Sequence, residues 1–163
     1  MAVTVGSDVY TSVADADTYA TENFMGADLT AWNDASTANK EASLRQATQY
    51  IDSRFRDRFV GQIRSESQAL EWPRINAFDR SGRLLTGTPD AVKAATTELA
   101  KERILAGTSL VPSQARGGAV KREKVDVIEV EYMDNAPAGT TYRFVSDLLS
   151  LVLKQSSRRV VRV

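Results

Sequence analysis

The chain has 163 residues, 42% apolar and 26% charged, which fits one domain with a modest core. It contains neither cysteine nor histidine, so disulfides, Cys/His zinc sites and Ser-His or Cys-His nucleophile pairs are excluded within it. Its 21 basic residues balance 21 acidic ones, but four of the basic residues lie in 154–163 with no acid, which leaves the first 153 residues with 17 against 21, a net of −4.

Residues 1–11 read as an extended lead-in, with neither the basic nor the apolar region of a secretory signal, so a cytoplasmic site of synthesis is expected. Ser12 with Asp15 three residues on is a capping-box-like start, and it places a short helix over about 12–22. The following stretch to Trp32 reads as a loop, with Gly26 as the helix stop. From Ser36 to about Arg54, Leu44, Ala47, Ile51 and Phe55 recur in steps of three and four, with Tyr50 beside them, and mark one helical face. Lys40, Glu41, Arg45 and Asp52 fall largely off that stripe.

Gly61, Pro73 and Gly82 break the next stretch into irregular structure. A third helix is predicted over 89–106, with Thr88 as N-cap, Pro89 in the first helical position, Asp90 in the first turn and Gly107 as the stop. Residues 108–124 form a basic connector around Gly117-Gly118. In 125–134, Val125 and Val127 alternate with acids, and Ile128, Val130 and Tyr132 continue in the opposite phase. That slip predicts a strand with a bulge, or two short strands. A turn at 135–139 and a last helix over about 141–154, carrying Phe144, Val145, Leu148, Leu149 and Val152, complete a domain of 1–154. Residues 155–163 follow as a tail. The fold class is mainly α: about four helices, a short β element and an extended C-terminal tail. No run of about 18 apolar residues occurs, so no membrane span is expected.

No phosphate-loop or dinucleotide-binding string occurs, and Asp126, Glu129, Glu131 and Asp134 lack calcium-loop spacing and read as the solvated side of a strand. No metal, cofactor or catalytic activity is expected. Arg116, Lys121, Arg122 and Lys124 could touch a phosphate backbone, against the plainer reading of a surface loop. In "FRDRF", Phe55 and Phe59 are expected in the core with the arginines outside. Trp72 poses the sharpest question: core plug or base-stacking platform. Glu66, Glu71, Arg64 and Arg74 surround it with mixed charge, whereas stacking platforms sit in basic grooves, so burial is the reading adopted.

The succession "ADADTYA", Trp32, "EASLRQATQYIDSRF", Gly61, "SQALEWPR", the Asp79-to-Gly82 turn and "TPDAVKAATTELA" resembles the small head–tail adaptor, or head-completion, proteins of tailed bacteriophages, a group also described as DnaT-like single-strand-binding. The resemblance spans about residues 8–154, and its most specific part is Gln68, Leu70, Trp72, Pro73 and Arg74. It implies a non-enzymatic virion protein at the head–tail junction. It further implies a homo-oligomeric, twelve-fold ring beneath the portal protein, lengthening the DNA channel and seating a tail-side connector or tail terminator. Transient non-specific contact with packaged duplex would then fall to Arg116, Lys121, Arg122 and Lys124. Arg158, Arg159, Val160, Val161, Arg162 and Val163 would dock on the portal. The alternative is a single-stranded-DNA-binding accessory protein of replication, which needs an exposed aromatic and a basic groove.

Overall fold

The structure, a computed structural model, describes residues 2–110, 122–125, 128–131 and 142–154, the two short strands among them by backbone only. It is mainly helical. Helix α1 (Val13–Asn23) starts where Ser12 Oγ accepts the Asp15 N–H at 3.0 Å, and α3 (Thr37–Phe55) starts where Ser36 Oγ accepts the Asn39 N–H at 3.3 Å. α3 buries Leu44, Ala47, Ile51 and Phe55, the predicted stripe, and packs on α4 (Asp90–Ala106), which answers with Val92, Ala95 and Leu99. Each such aliphatic side chain taken from water contributes about 1.5–3 kcal/mol.

Four expectations are corrected. The segment read as a loop is helix α2 (Gly26–Asp34), and Gly26 opens it rather than ending α1. So short a helix depends on its tertiary contacts. Trp32 is fully buried edge-on to Phe24, its indole N–H donates to Asp17 Oδ1 at 2.8 Å, and Lys101 reaches Asp28 at 3.2 Å. Lys40 and Asp52 are buried, not solvated. Lys40 lies over the Trp32 ring and pairs with Asp17 at 2.8 Å, while Asp52 is met by Tyr10 and the Glu71 N–H. Pro89, not Thr88, is the N-cap of α4, whose first turn receives no side-chain cap. The last helix is shorter than expected: α5 (Arg143–Leu148) passes into a 3-10 turn at Leu149–Leu151.

Two small antiparallel pairs complete the fold. β1 (Gln62–Ile63) pairs with β2 (Arg74–Ile75), and β3 (Arg122–Val125) pairs with β4 (Ile128–Glu131) in the register Arg122 to Glu131. The second pair is the two-strand form of the predicted slip, and it begins at Arg122, inside the stretch read as connector. After α5 the chain returns to the segment behind α3. Val60 N–H donates to Val152 O at 3.0 Å, Lys154 N–H donates to Arg58 O at 2.7 Å, and Phe59 bridges Leu153. Among the described residues, no helix is long and apolar enough to cross a membrane.

Candidate nucleic-acid interface

The loop between α3 and α4 is built around "QALEWPR", and every polar side chain of that motif points inward. The Gln68 carbonyl oxygen accepts from the N–H groups of Arg64 and Ser65, and its amide donates to the carbonyls of Leu70 and Pro73. Leu70 is buried. Glu71 takes Arg56 Nε at 2.8 Å on one oxygen and an Arg74 guanidinium nitrogen at 2.9 Å on the other. Arg74 also donates to the carbonyls of Val60 and Gly61, at 2.9 and 3.1 Å, and lies over the Phe59 ring. Trp72 is 0% exposed and stacks edge-on to Phe59 at 5.8 Å. The Trp72–Pro73 peptide is cis. Burial settles the two readings of Trp72: it is a core plug, and no base can reach it. Phe55 and Phe59 are core residues too, with Arg54, Arg56 and Arg58 outside.

Beneath the motif, the Tyr10 hydroxyl donates to Asp52 Oδ1, and Glu71 N–H donates to both Tyr10 Oη and Asp52 Oδ2. Burial raises the Asp52 carboxyl to about 6, with the Tyr10 and Glu71 hydrogen bonds pulling the other way. Burial also holds the Tyr10 hydroxyl far above its ordinary value. Gly61 is tied into the same assembly: with φ of 71°, a Cβ there would lie 2.5 Å from Ile75 O.

The rigid loop displays a different set of residues. Leu85 N–H donates to Ala77 O at 2.8 Å and Asp79 N–H donates to Arg83 O at 3.0 Å, so residues 77–85 form a tight hairpin. Asp79 Oδ1 accepts the N–H groups of Ser81 and Arg83, and Oδ2 takes Arg83 Nε at 2.7 Å. The Arg83 N–H is the main reason the Asp79 carboxyl sits below its ordinary value. Ala77 and Asp79 turn in, so Phe78 and Leu84, which bridge one another, turn out, at 50% and 57% exposure. Phe78 is the one exposed aromatic among the described residues. Sequence reasoning missed it because one phenylalanine in a polar loop carries no period. The available signal was its place directly before the Asp79-to-Gly82 turn.

Charge follows the same division. Residues 1–51 hold seven acids against two bases, a net of −5, while 52–83 hold seven arginines against five acids, a net of +2. Two of those acids, Glu71 and Asp79, are buried and consumed by Arg56, Arg74 and Arg83. Arg54, Arg58, Arg64 and Arg80 are exposed and form no ion pair among the described residues. An exposed aromatic and exposed, unpaired arginines within one stretch of chain can stack a base and hold a phosphate. Of the other predicted contacts, Arg116 and Lys121 lie outside the described residues, as do Arg158, Arg159, Val160, Val161, Arg162 and Val163. Arg122 and Lys124 are seen only as backbone positions of β3, opposite Glu131 and Glu129.

The profile of the family described as "Putative DnaT-like ssDNA binding protein" matches residues 2–163. The chain belongs to that family. Its description agrees with the single-strand-binding alternative rather than with the adaptor. No curated protein and no solved structure matches the chain.

Proposed function

Proceeding from that membership, we propose that the chain is a non-enzymatic DNA-contacting protein whose ligand is single-stranded DNA. The observation that carries this is the hairpin 77–85, which holds Phe78 out of the core in an arginine-rich loop. Phe78 supplies a π-face for one base, sequence-tolerant because every base has one. Arg54, Arg58, Arg64 and Arg80 supply charge for the phosphates, and the acidic N-terminal helices keep the remainder of the surface from holding DNA indiscriminately. The basic residues Arg116, Lys121, Arg122 and Lys124 would add further positive charge for the phosphates. The test is anisotropy with labelled oligo-dT over a salt series. Binding that weakens with salt and prefers single strands over duplex supports the proposal, and indifference to DNA at low salt overturns it.

A second reading, the phage head–tail adaptor, is favoured by a specific observation. The motif that carries the resemblance, Gln68 to Arg74, is spent on building a stiff loop, and the chain's last described residue is fixed on Arg58. Residues 155–163 would then leave the body from a defined point, as a docking arm for a portal needs, and a near-neutral subunit suits a channel through which duplex slides. On this reading Phe78 and Leu84 would face a neighbouring subunit or a tail-side protein instead of a base. Light-scattering mass with negative-stain imaging separates the two: rings, free or on portals, with no oligo-dT binding, would favour the adaptor.

A further inference from the structure

Away from the arginine loop, the first turn of α3 and the last turn of α4 enclose a cavity of about 200 Å³, lined by Asn39, Ser43, Arg103, Ile104 and Gly107. No carboxylate lines it. Arg103 is half-buried, and its guanidinium has one partner, Ser43 Oγ at 2.8 Å. Its Nε is buried with no hydrogen-bond partner, and it forms no ion pair among the described residues. Ser43 itself is fully buried and donates onward to Asn39 O at 2.7 Å, so its hydroxyl fixes the guanidinium rather than competing for a ligand.

Arg74, whose side chain is buried, is matched by Glu71, and the exposed Arg56 and Arg83 pair with Glu71 and Asp79. The buried Nε is closed to a ligand as well as to solvent, so a partner for this permanent cation must meet the remaining guanidinium N–H groups. The opening start of α3 adds partial positive charge from its free N–H groups, and Asn39, exposed in that first turn, offers an amide at the rim. The carbonyl end of α4 works against an anion, which is why a planar guanidinium with several free N–H groups is needed there rather than the helix start alone.

We infer that this cavity is an oxyanion site that takes a phosphate group, with Arg103 as its binding cation and Ser43 as the residue that positions it. The inference rests on the DNA-binding reading only for the source of the phosphate, which is either a backbone phosphate of a bound strand or free phosphate.

The test is a titration of the full chain with inorganic phosphate at constant ionic strength, following the backbone amide resonances of Asn39 and Gly107. The expected result is a saturable shift that an equal ionic strength of chloride does not reproduce. Arg103→Gln should weaken it by about tenfold or more, and Arg103→Lys less, because a lysine keeps the charge but loses the planar fork. Asn39→Asp is the second variant: the acid favours the helix start, so folding is retained, while an anion at the rim repels phosphate. Loss of the saturable shift in Asn39→Asp supports the site. A shift that is linear, matched by chloride, or unchanged in both Arg103→Gln and Asn39→Asp overturns it. Oligo-dT run in parallel assigns the source. If it moves the same two amides, the phosphate is a backbone one. If inorganic phosphate alone does so, the site stands and the DNA reading loses its support here.

Discussion

The Tyr10 hydroxyl donates to the Asp52 carboxylate, joining the N-terminal lead-in to α3 across 42 residues of sequence, inside the core. The cost of keeping that carboxylate charged is the source of a pH dependence. Its folded-state value, about 6, lies above the ordinary 3.8, so between these values the folded protein holds a proton that the unfolded chain has released. The contribution is therefore fully present below about pH 4 and is lost as pH rises through about 6. The loss is on the order of 2–3 kcal/mol. Urea unfolding of wild type and Asp52→Asn at a series of pH values isolates it. The difference between the two should shift in favour of the variant as pH rises over this window, and a pH-independent difference would count against the raised value.

Trp72→Ala should destabilise the domain by roughly 3–5 kcal/mol, since it empties a fully buried indole site against Phe59. Thermal or chemical unfolding measures it. A variant that melted like wild type but no longer bound oligo-dT would return Trp72 to the role of platform.

Phe78→Ala is expected to do the reverse. A half-exposed ring can be removed at a cost of no more than about 0.5 kcal/mol of stability, yet oligo-dT affinity should fall by about 1–3 kcal/mol. Arg80→Ala should reduce the salt slope of binding by about 0.7, as one phosphate contact on a single strand predicts. Unchanged affinity in Phe78→Ala would move the binding surface away from the hairpin.

Gly61→Ala should cost at least about 1–3 kcal/mol, because alanine must adopt a left-handed φ and its methyl meets Ile75 O and Ala77. Differential scanning calorimetry reads this directly, and a neutral result would mean that β1 and β2 part without loss.

Truncation after Lys154 tests the second functional reading. The helical circular-dichroism signal and melting temperature should be kept, because the last described contacts of the body end at Lys154. Portal binding should fall sharply if the tail is a docking arm. Full binding by the truncated chain would leave the tail with no such role.

The helices that carried their own punctuation were legible in the sequence. Ser12 caps as its spacing implies, Gly107 ends α4 in the left-handed region, and the Leu44-to-Phe55 stripe is the core face. Helix α2 was hidden because it is held by Trp32, Asp17 and Lys101, residues from three separate helices. Lys40 and Asp52 looked solvated for the same reason: their partners, Asp17 and Tyr10, are distant in sequence. The burial of Trp72 followed from its mixed-charge neighbours. Phe78 and Arg103 carried no periodic signal, because the outward face of a hairpin arm and an unmatched guanidinium are properties of packing, not of pattern.

The bridge from Phe59 to Leu153, with the Lys154-to-Arg58 hydrogen bond beside it, also bears on how the chain is made. Synthesis runs from the N-terminus, so Phe59 and Trp72 emerge from the ribosome long before Val152 and Leu153 do. During that interval the aromatic pair lacks the segment that closes over this side of the core, and the nascent chain presents an apolar face. The domain can be completed only once Val152 to Lys154 have emerged, which makes that stretch, rather than the helices that precede it, the step that commits the polypeptide to its native form.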